Sequence, residues 1–208
     1  MARNKKNKQL LVEGNDDFHV MQALCQMHNI PETFEIIDNK GIDKLVASIP
    51  VRLKQAEINT IGIIIDADTD INKRWNTISG ILANIGYQTP DSIPTGGLIL
   101  NENTKVKIGV WLMPDNNLNG MLEDFIKFLI PEGDQLLPIV VSELFAIENL
   151  GLNKYAQIHH SKALIHTWLA LQEDPGTPMG LSITKKYLDT NVDQCSCFLK
   201  WLLDLFND

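Results

Sequence analysis

The sequence has no apolar run long enough to cross a bilayer. Its longest apolar stretches, such as IGIII, fall far short of the roughly 20 residues that a membrane-spanning helix needs. The N-terminal segment MARNKKNK carries four basic residues, but neither an apolar core of signal-peptide length nor a small-residue cleavage site follows it. We therefore expect an intracellular, cytoplasmic protein with no membrane partner.

Cysteine is scarce, with three residues in 208, and their odd number does not suggest a disulfide framework. Cys195 and Cys197 stand too close in the sequence for an unstrained disulfide, so reduced thiols in a cytoplasm are the simplest account. Such a pair can also bind metal, but no second Cys or His pair has zinc-site spacing. The composition therefore favours free thiols over a structural zinc site.

An excess of basic charge is missing as well. The formal net charge is −8, whereas a protein that binds nucleic acid by coating its phosphates is expected to be basic. Nucleic acid binding is compatible with this charge if bound cations neutralise a carboxylate cluster, if a partner supplies basic surface, or if the basic N-terminal segment contributes. The other interpretation of that segment is a disordered, solubilising tail.

Strands and helices are predicted to alternate in the first half of the chain. Apolar runs at 9–14, 33–38 and 60–65 indicate strands, and each precedes a segment with apolar residues at helical spacing. Pro50 predicts a kink or a break in the second of these helices. This order predicts an α/β, Rossmann-like fold, in which helices cover both faces of a mainly parallel sheet.

Two more strands, at 97–100 and 106–114, are predicted after the third helix. An amphipathic helix follows them, and its pattern points Glu123, Asp124 and Lys127 outward.

The remainder of the chain has a helical pattern, and no Gly/Ser-rich linker sets it apart. We therefore predict one domain over residues 1–208. Its sheet core covers about 9–135, and a helical C-terminal part at about 136–208 packs on the sheet.

Acidic residues follow three of the predicted strands. Glu13 follows the first strand, Asp66 and Asp68 follow the third, and Asp115 follows a later one. The carboxyl ends of parallel strands lie along one edge of a sheet, which is where ligands bind. Crowded carboxylates raise each other's pKa unless a cation lies among them, and hard oxygen ligands suit Mg²⁺ or Mn²⁺. The sequence therefore predicts a divalent-metal site at this edge.

A lone Asp-x-Asp at a strand end is also compatible with a solvated loop or a helix cap. Asp70 in particular fits the N-cap of the following helix. The combination of Glu13 and Gly14 after one strand with an Asp-x-Asp about fifty residues later is much less expected by accident.

Several stretches resemble known proteins. LLVEGNDD followed by IIIDADTD resembles the Toprim domain shared by topoisomerases, primases, small ribosomal-RNA maturases and the overcoming-lysogenisation-defect nucleases. GVWLMPDNNLNGMLEDF, with the later HHSKALIHTWLALQEDPGTPMG and FLKWLLDLF, resembles more narrowly the uncharacterised bacterial Toprim-like proteins of the DUF3226 family. The narrower resemblance covers nearly the whole chain, and it implies a Toprim-like fold.

The Toprim resemblance implies roles for the first acidic residues. The Glu after strand one, here Glu13, is the proposed general acid or base and can also reach metal, and the Asp-x-Asp, here Asp66 and Asp68, holds Mg²⁺. The nuclease branch has a second acid four residues after the Glu, matched here by Asp17. Simple capping of the helix N-terminus by charge would explain Asp17 equally well.

The resemblance also implies roles for later residues. Asp115 and Glu123 would be further metal or second-shell ligands, with a solvated helix face as the alternative for Glu123. Phosphoryl transfer needs a cation to meet developing negative charge, and Lys162 resembles the late Lys of the nuclease branch, although it could be an ordinary surface lysine. His159 and His160 could donate protons or could cap a helix. His160 could also be a second-shell residue of the metal site.

Three functions follow from these patterns. The first is a metal-dependent nuclease or related phosphotransferase, with Mg²⁺ or Mn²⁺ as its cofactor and nucleic acid as its partner. The second is a non-catalytic Toprim-like binding or regulatory module that acts with a protein partner such as an ATPase. It is favoured by the acidic charge and by the lack of helicase, zinc-finger or ATPase parts. The third is a phospho-accepting receiver. It ranks last because a receiver has paired acids directly at the strand end and a lysine after its last strand, whereas here the first strand ends in Glu-Gly and the later strand is followed by Asp115.

Overall fold

The computed structural model describes residues 7–102 and 105–207. Most of the basic N-terminal segment, with its expected role as a solubilising tail, lies outside the described residues. Among the described residues, no helix is both long enough and apolar enough to span a membrane.

Strands and helices alternate through the first half of the chain, as predicted. The elements in chain order are β1 (Lys8–Val12), α1 (Asn15–Met27), β2 (Glu35–Asp38), α2 (Ile42–Arg52), β3 (Thr60–Asp66), α3 (Ile71–Asn84), β4 (Leu98–Leu100), β5 (Lys107–Met113), α4 (Leu122–Phe128), α5 (Leu136–Asn149), a short 3-10 helix (Gln157–His159), α6 (His160–Ala170), α7 (Met179–Thr184) and α8 (Asp193–Phe206). Helix α2 contains Pro50 and ends two residues later, which agrees with the expected break.

The strands form one sheet in the order β2-β1-β3-β5-β4. The first four strands in this order run parallel, and β4 pairs antiparallel with β5 at the edge. The mainly parallel α/β sheet predicted from the sequence is therefore confirmed. Because β1, β3 and β5 lie side by side, their carboxyl ends are neighbours at one edge of the sheet, where Asp66 pairs with Met113.

Alternate residues of the strands face two hydrophobic cores. Leu10, Ile64 and Trp111 pack with α1 and with the helices of the C-terminal half. Leu11 and Ile63 point to the other face and pack with α2 and α3. Both faces of the sheet are thus covered, and burial of these side chains is the main favourable contribution to folding.

Helix α8 lies directly across β3 and β5 because two glycines leave room for it. Gly62 and Gly109 pair with each other in adjacent strands. A Cβ atom at Gly109 would stand 2.5 Å from Leu205 Cδ2, and one at Gly62 would stand 2.9 Å from the same atom. The expected packing of the helical C-terminal part on the sheet is therefore confirmed, and it depends on this close approach.

Candidate metal centre

Carboxylates from three segments of the chain meet beside the end of β3. Asp66 is the last residue of β3, Glu13 and Asp17 flank the start of α1, and Glu123 lies in the first turn of α4. Burial raises the pKa of Asp66 well above its ordinary value, and the negative charges of Asp17, Glu13, Glu123 and Asp68 raise it further. Three of the four acids predicted at this edge of the sheet, Glu13, Asp66 and Asp68, are therefore close enough to interact.

Asp66 also connects the sheet to α4. Its Oδ1 atom accepts a hydrogen bond from the backbone N–H of Leu122 at 3.0 Å, at the first residue of that helix. A carboxylate at a helix N-terminus is stabilised by the helix dipole. This contact therefore fixes Asp66 in place while its second oxygen remains able to bind another group.

Asp17 caps α1 with one oxygen and leaves the other without a hydrogen-bond partner. Its Oδ2 atom accepts from the backbone N–H of Gly14 at 3.1 Å and so caps α1. Its Oδ1 atom is buried and has no hydrogen-bond partner, and the residue is 7% exposed. Burial and then the charge of Glu13 raise the pKa of Asp17 to about 7. Capping therefore accounts for one oxygen only.

Glu13 follows β1 at the same edge and contributes a second unsatisfied oxygen. Its Oε2 atom is buried and has no hydrogen-bond partner. Burial and the charge of Asp68 raise the pKa of Glu13, whereas the charge of Arg74 lowers it. Buried polar atoms without partners are rare in native proteins, so two of them on neighbouring carboxylates call for a ligand.

The loop after β3 is shaped by pairing between Asp68 and Gly120. Their backbone N–H and C=O groups form two hydrogen bonds of 2.8 Å. Gly120 has φ +145°, and a Cβ atom there would stand 2.6 Å from Asp124 Oδ2, so only glycine fits without strain. This pairing brings the loop of the Asp-x-Asp against the start of α4.

Asp68 forms an ion pair with Arg74, a residue that the sequence reasoning missed. Arg74 lies near the start of α3, and its Nε atom is buried without a partner. A pocket of about 210 Å³ lies beside this pair and is also lined by Lys73. A cation within the first turns of the helix that follows the Asp-x-Asp was the available signal. The predicted N-cap at Asp70 is confirmed, because its side chain accepts from the backbone N–H of Lys73 at 3.0 Å.

Glu123 and Asp124 do not point into solvent, so that prediction is wrong for both, whereas Lys127 is exposed. The reason is that the start of α6 covers the start of α4. Glu123 is 4% exposed and lies 3.5 Å from Lys162 Nζ. Asp124 accepts from Ser161 Oγ at 2.5 Å. Lys162 is thereby brought to the cluster by a contact with one of its carboxylates.

Asp115 and His160 make their hydrogen bonds elsewhere. Asp115 follows β5 by two residues, at the predicted edge, but its Oδ1 atom accepts from the backbone N–H groups of Asn117 and Leu118 at 3.0 and 2.8 Å. His160 Nδ1 lies 2.7 Å from Glu148 Oε1, which also accepts from Tyr155. Exposed His159 ends the 3-10 helix. Their assignment as ligands, second-shell residues or proton donors stays a prediction.

The carboxylates fit a divalent cation by their chemistry. In residues 7–102 and 105–207, no three His, Cys, Asp or Glu side chains form a ready-made metal site. The cluster does offer oxygens without hydrogen-bond partners on Glu13 and Asp17. Both residues interact with Asp66, whose pKa is raised. Hard oxygen donors of this kind suit Mg²⁺ or Mn²⁺, and a cation among them would relieve their repulsion.

The comparisons with known proteins give one match. The model of a family described as a protein of unknown function, DUF3226, matches residues 7–207. The comparison with curated proteins gave no match, and neither did the comparison with solved structures. The match covers nearly the whole chain and agrees with the narrower resemblance, while the wider Toprim relationship stays a resemblance. The chain therefore belongs to the DUF3226 family.

Proposed function

We propose that the carboxylate cluster binds Mg²⁺ or Mn²⁺ and that the protein catalyses metal-dependent phosphoryl transfer on nucleic acid, as a nuclease does. The observation that carries this proposal is the pair of buried carboxylate oxygens without partners, on Glu13 and Asp17, beside Asp66. Buried like charges destabilise a fold. A cation-binding role explains why the chain keeps them.

In this proposal Asp66, Asp17 and Glu13 hold the cation, and Asp68 joins them when Arg74 releases it. The bound cation would polarise a phosphodiester and neutralise charge that develops on it. Because burial raises the pKa of Glu13, this carboxyl is brought nearer to the range in which a group can both accept and donate a proton. Glu13 therefore also serves as the general acid or base.

Lys162 is the residue best placed to meet negative charge on the substrate. Its side chain is half exposed, and its Nζ atom lies 3.5 Å from buried Glu123. It therefore stands where the carboxylate cluster opens to solvent. A cation held in such a position stabilises charge that develops during reaction.

A second candidate is a non-catalytic binding or regulatory module. The ion pair between Asp68 and Arg74 favours it, because the cluster is partly neutralised without a metal. The net charge of −8 also favours a protein partner, such as an ATPase, that supplies the surface for nucleic acid. The free thiols of Cys25, Cys195 and Cys197 suit a reducing cytoplasm in either case.

The third candidate, a receiver, loses support from the sheet. A flavodoxin-like receiver has the strand order 2-1-3-4-5, whereas here β5 is inserted before β4 and β4 runs antiparallel. The sheet therefore does not have the strand order of a receiver.

The test incubates the protein with labelled single- and double-stranded DNA and RNA in Mg²⁺, Mn²⁺ or EDTA. Asp66→Asn is the test variant, because asparagine retains an acceptor for the Leu122 N–H group. Asp204→Asn is the matched control, since Asp204 lies on α8 and pairs with Lys200 there. We expect cleavage that needs metal, that Asp66→Asn abolishes and that Asp204→Asn leaves intact.

Other results would decide between the candidates. Cleavage that survives both EDTA and Asp66→Asn would contradict metal catalysis. An absence of cleavage together with Mn²⁺ binding that depends on Asp66 would favour the non-catalytic module. Labelling of Asp66 by acetyl phosphate would support the receiver instead.

A further inference from the structure

The pocket of about 210 Å³ at the start of α3 lies directly beside the candidate metal centre. Two cationic side chains line it, those of Lys73 and Arg74, together with Thr69 and Thr77. Asp68 lines the same pocket, so one acid of the proposed metal site forms part of its wall. An anion bound in this pocket would therefore be a neighbour of the bound cation.

Backbone groups at the start of α3 already have partners. The N–H group of Ile71 donates to Asn119 Oδ1 at 2.9 Å, and the N–H group of Lys73 donates to Asp70 Oδ1 at 3.0 Å. Recognition of an anion in the pocket therefore depends mainly on the side chains of Lys73 and Arg74, and not on the end of the helix.

Arg74 has hydrogen-bonding capacity that Asp68 does not use. Its Nη2 group donates to Asp68, and its side chain is 17% exposed. Its Nε atom is buried and has no partner, which is rare for a polar atom in a native protein. A guanidinium presents its N–H groups as a planar fork that matches two oxygens of one phosphate group. Arg74 is therefore able to bind a phosphate more completely than it binds Asp68.

Metal binding would change the charge of this pocket. Without metal, the charges of Lys73 and Arg74 balance those of Asp68 and Asp70, the four charged residues that line it. When Asp68 turns to a bound cation, Arg74 loses its partner, and a mostly buried charge without a partner is unfavourable. The two cations then face Asp70 alone. The pocket therefore favours an anion only after the metal has bound.

We propose that this pocket is a phosphate subsite that forms when metal binds, as Arg74 exchanges Asp68 for a phosphate group of the substrate. The inference rests on the proposed function and specifies its substrate as a nucleic acid strand, whose phosphate next to the reacting one lies between Arg74 and Lys73. It also explains how a chain of net charge −8 binds a polyanion, because the pocket becomes positive only with the cation in place. By linkage, metal and phosphate raise each other's affinity by the same factor.

The test titrates inorganic phosphate and thymidine 5′-monophosphate into the protein by isothermal calorimetry, in saturating Mg²⁺ or in EDTA. We expect both ligands to bind at least about tenfold more tightly in Mg²⁺. In Mg²⁺, Arg74→Gln should weaken their binding about 30-fold, because it removes hydrogen bonds to a charged group. Lys73→Gln, which removes a more exposed charge, should weaken it about threefold.

Arg52→Gln is the matched control and should leave phosphate binding unchanged. Arg52 ends α2, and its Nε atom is also buried without a partner, but its Nη1 group donates to Gln9 at the other end of the sheet. Mn²⁺ titration without phosphate adds a second readout for Arg74→Gln. Affinity for Mn²⁺ should rise while affinity for phosphate falls, whereas damage to the fold would lower both.

Different failures have different meanings. Phosphate binding by Arg74→Gln as tight as that of the wild type, or equally tight binding in Mg²⁺ and EDTA, would overturn the subsite. Metal binding without phosphate binding would overturn the subsite and leave the proposed metal site in place. A chain that binds no metal would overturn both. Phosphate binding that needs Mg²⁺ and Arg74, without any cleavage, would support the subsite and assign it to the non-catalytic module.

Discussion

The acidic residues at the sheet edge fall into two groups that differ in their neighbours. The unpaired carboxylates, Glu13, Asp17 and Asp66, form no ion pair within the described part of the chain, and burial raises the pKa of each. The paired carboxylates, Asp68 and Glu123, face Arg74 and Lys162. The protein's own cations therefore flank the cluster, and the proposed metal would bind at its centre, among the carboxylates that no Lys or Arg pairs with.

The first prediction compares metal binding by the two groups. Asp66→Asn should weaken Mn²⁺ binding at least about 1,000-fold, because Asp66 is the carboxylate that all the others surround. Asp68→Asn should weaken it only about tenfold, since Arg74 already neutralises Asp68. Isothermal titration calorimetry measures both constants. Equal losses in the two variants would remove the distinction between unpaired and paired carboxylates.

The second prediction concerns Lys162. Lys162→Met should reduce cleavage about 100-fold, as loss of one group that stabilises developing charge does. Mn²⁺ affinity should stay the same or rise slightly, because the substitution removes only the lysine ammonium that competes with Mn²⁺ for Glu123. Lys200→Met, which removes a surface lysine from α8, is the matched control. A parallel loss of cleavage and of Mn²⁺ binding would mean that Lys162 only supports the structure.

The third prediction is a pH dependence of the metal-free protein. Because the pKa of Asp17 is raised to about 7 in the folded chain, the folded state keeps a proton that the unfolded state loses. The free energy of unfolding in EDTA should therefore fall as pH rises from about 4 to about 7. Asp17→Asn should increase the free energy of unfolding at pH 8 by on the order of 3 kcal/mol. The asparagine has no charge, and its amide oxygen can still accept the hydrogen bond from the Gly14 N–H.

Urea unfolding of the wild type, Asp17→Asn and Asp16→Asn checks this dependence. Asp16 lies in the same turn of α1, so its substitution controls for a general loss of helix charge. At pH 8, we expect Mn²⁺ to raise the free energy of unfolding of the wild type by most of its difference from Asp17→Asn. A lower free energy of unfolding for Asp17→Asn than for Asp16→Asn would show that Asp17 is needed as a structural cap.

Much of the fold could be predicted because it depends on local patterns. Apolar runs and helical periodicity located the strands and helices, and their alternation predicted the mainly parallel sheet. The antiparallel pairing of β4 and the contact of α8 with Gly62 and Gly109 could not be predicted in this way. They depend on which distant segments pack together, and a single sequence does not encode that in any local signal.

The same limit explains what was missed at the candidate site. Strand ends gave Glu13 and Asp66, because the edge of a parallel sheet collects them. Glu123 seemed outward because the pattern of α4 alone does not show that α6 covers it. Arg74 was missed because its role depends on the loop conformation that turns Asp68 toward α3, with φ +54° at Asp68 itself.

The last prediction tests whether Arg74 competes with the metal. Arg74→Gln should tighten Mn²⁺ binding about fivefold, because it frees Asp68 for the cation, and partly exposed ion pairs contribute only about 1 kcal/mol or less. Lys73→Gln is the matched control, because it removes the same charge one residue earlier and Lys73 lines the same pocket. An equal increase of Mn²⁺ affinity in both variants would mean that the loss of a nearby positive charge, and not the release of Asp68, causes the effect. Weaker binding in Arg74→Gln alone would mean that Arg74 holds Asp68 in the geometry that metal binding needs, so that the pair supports the site and does not compete with it.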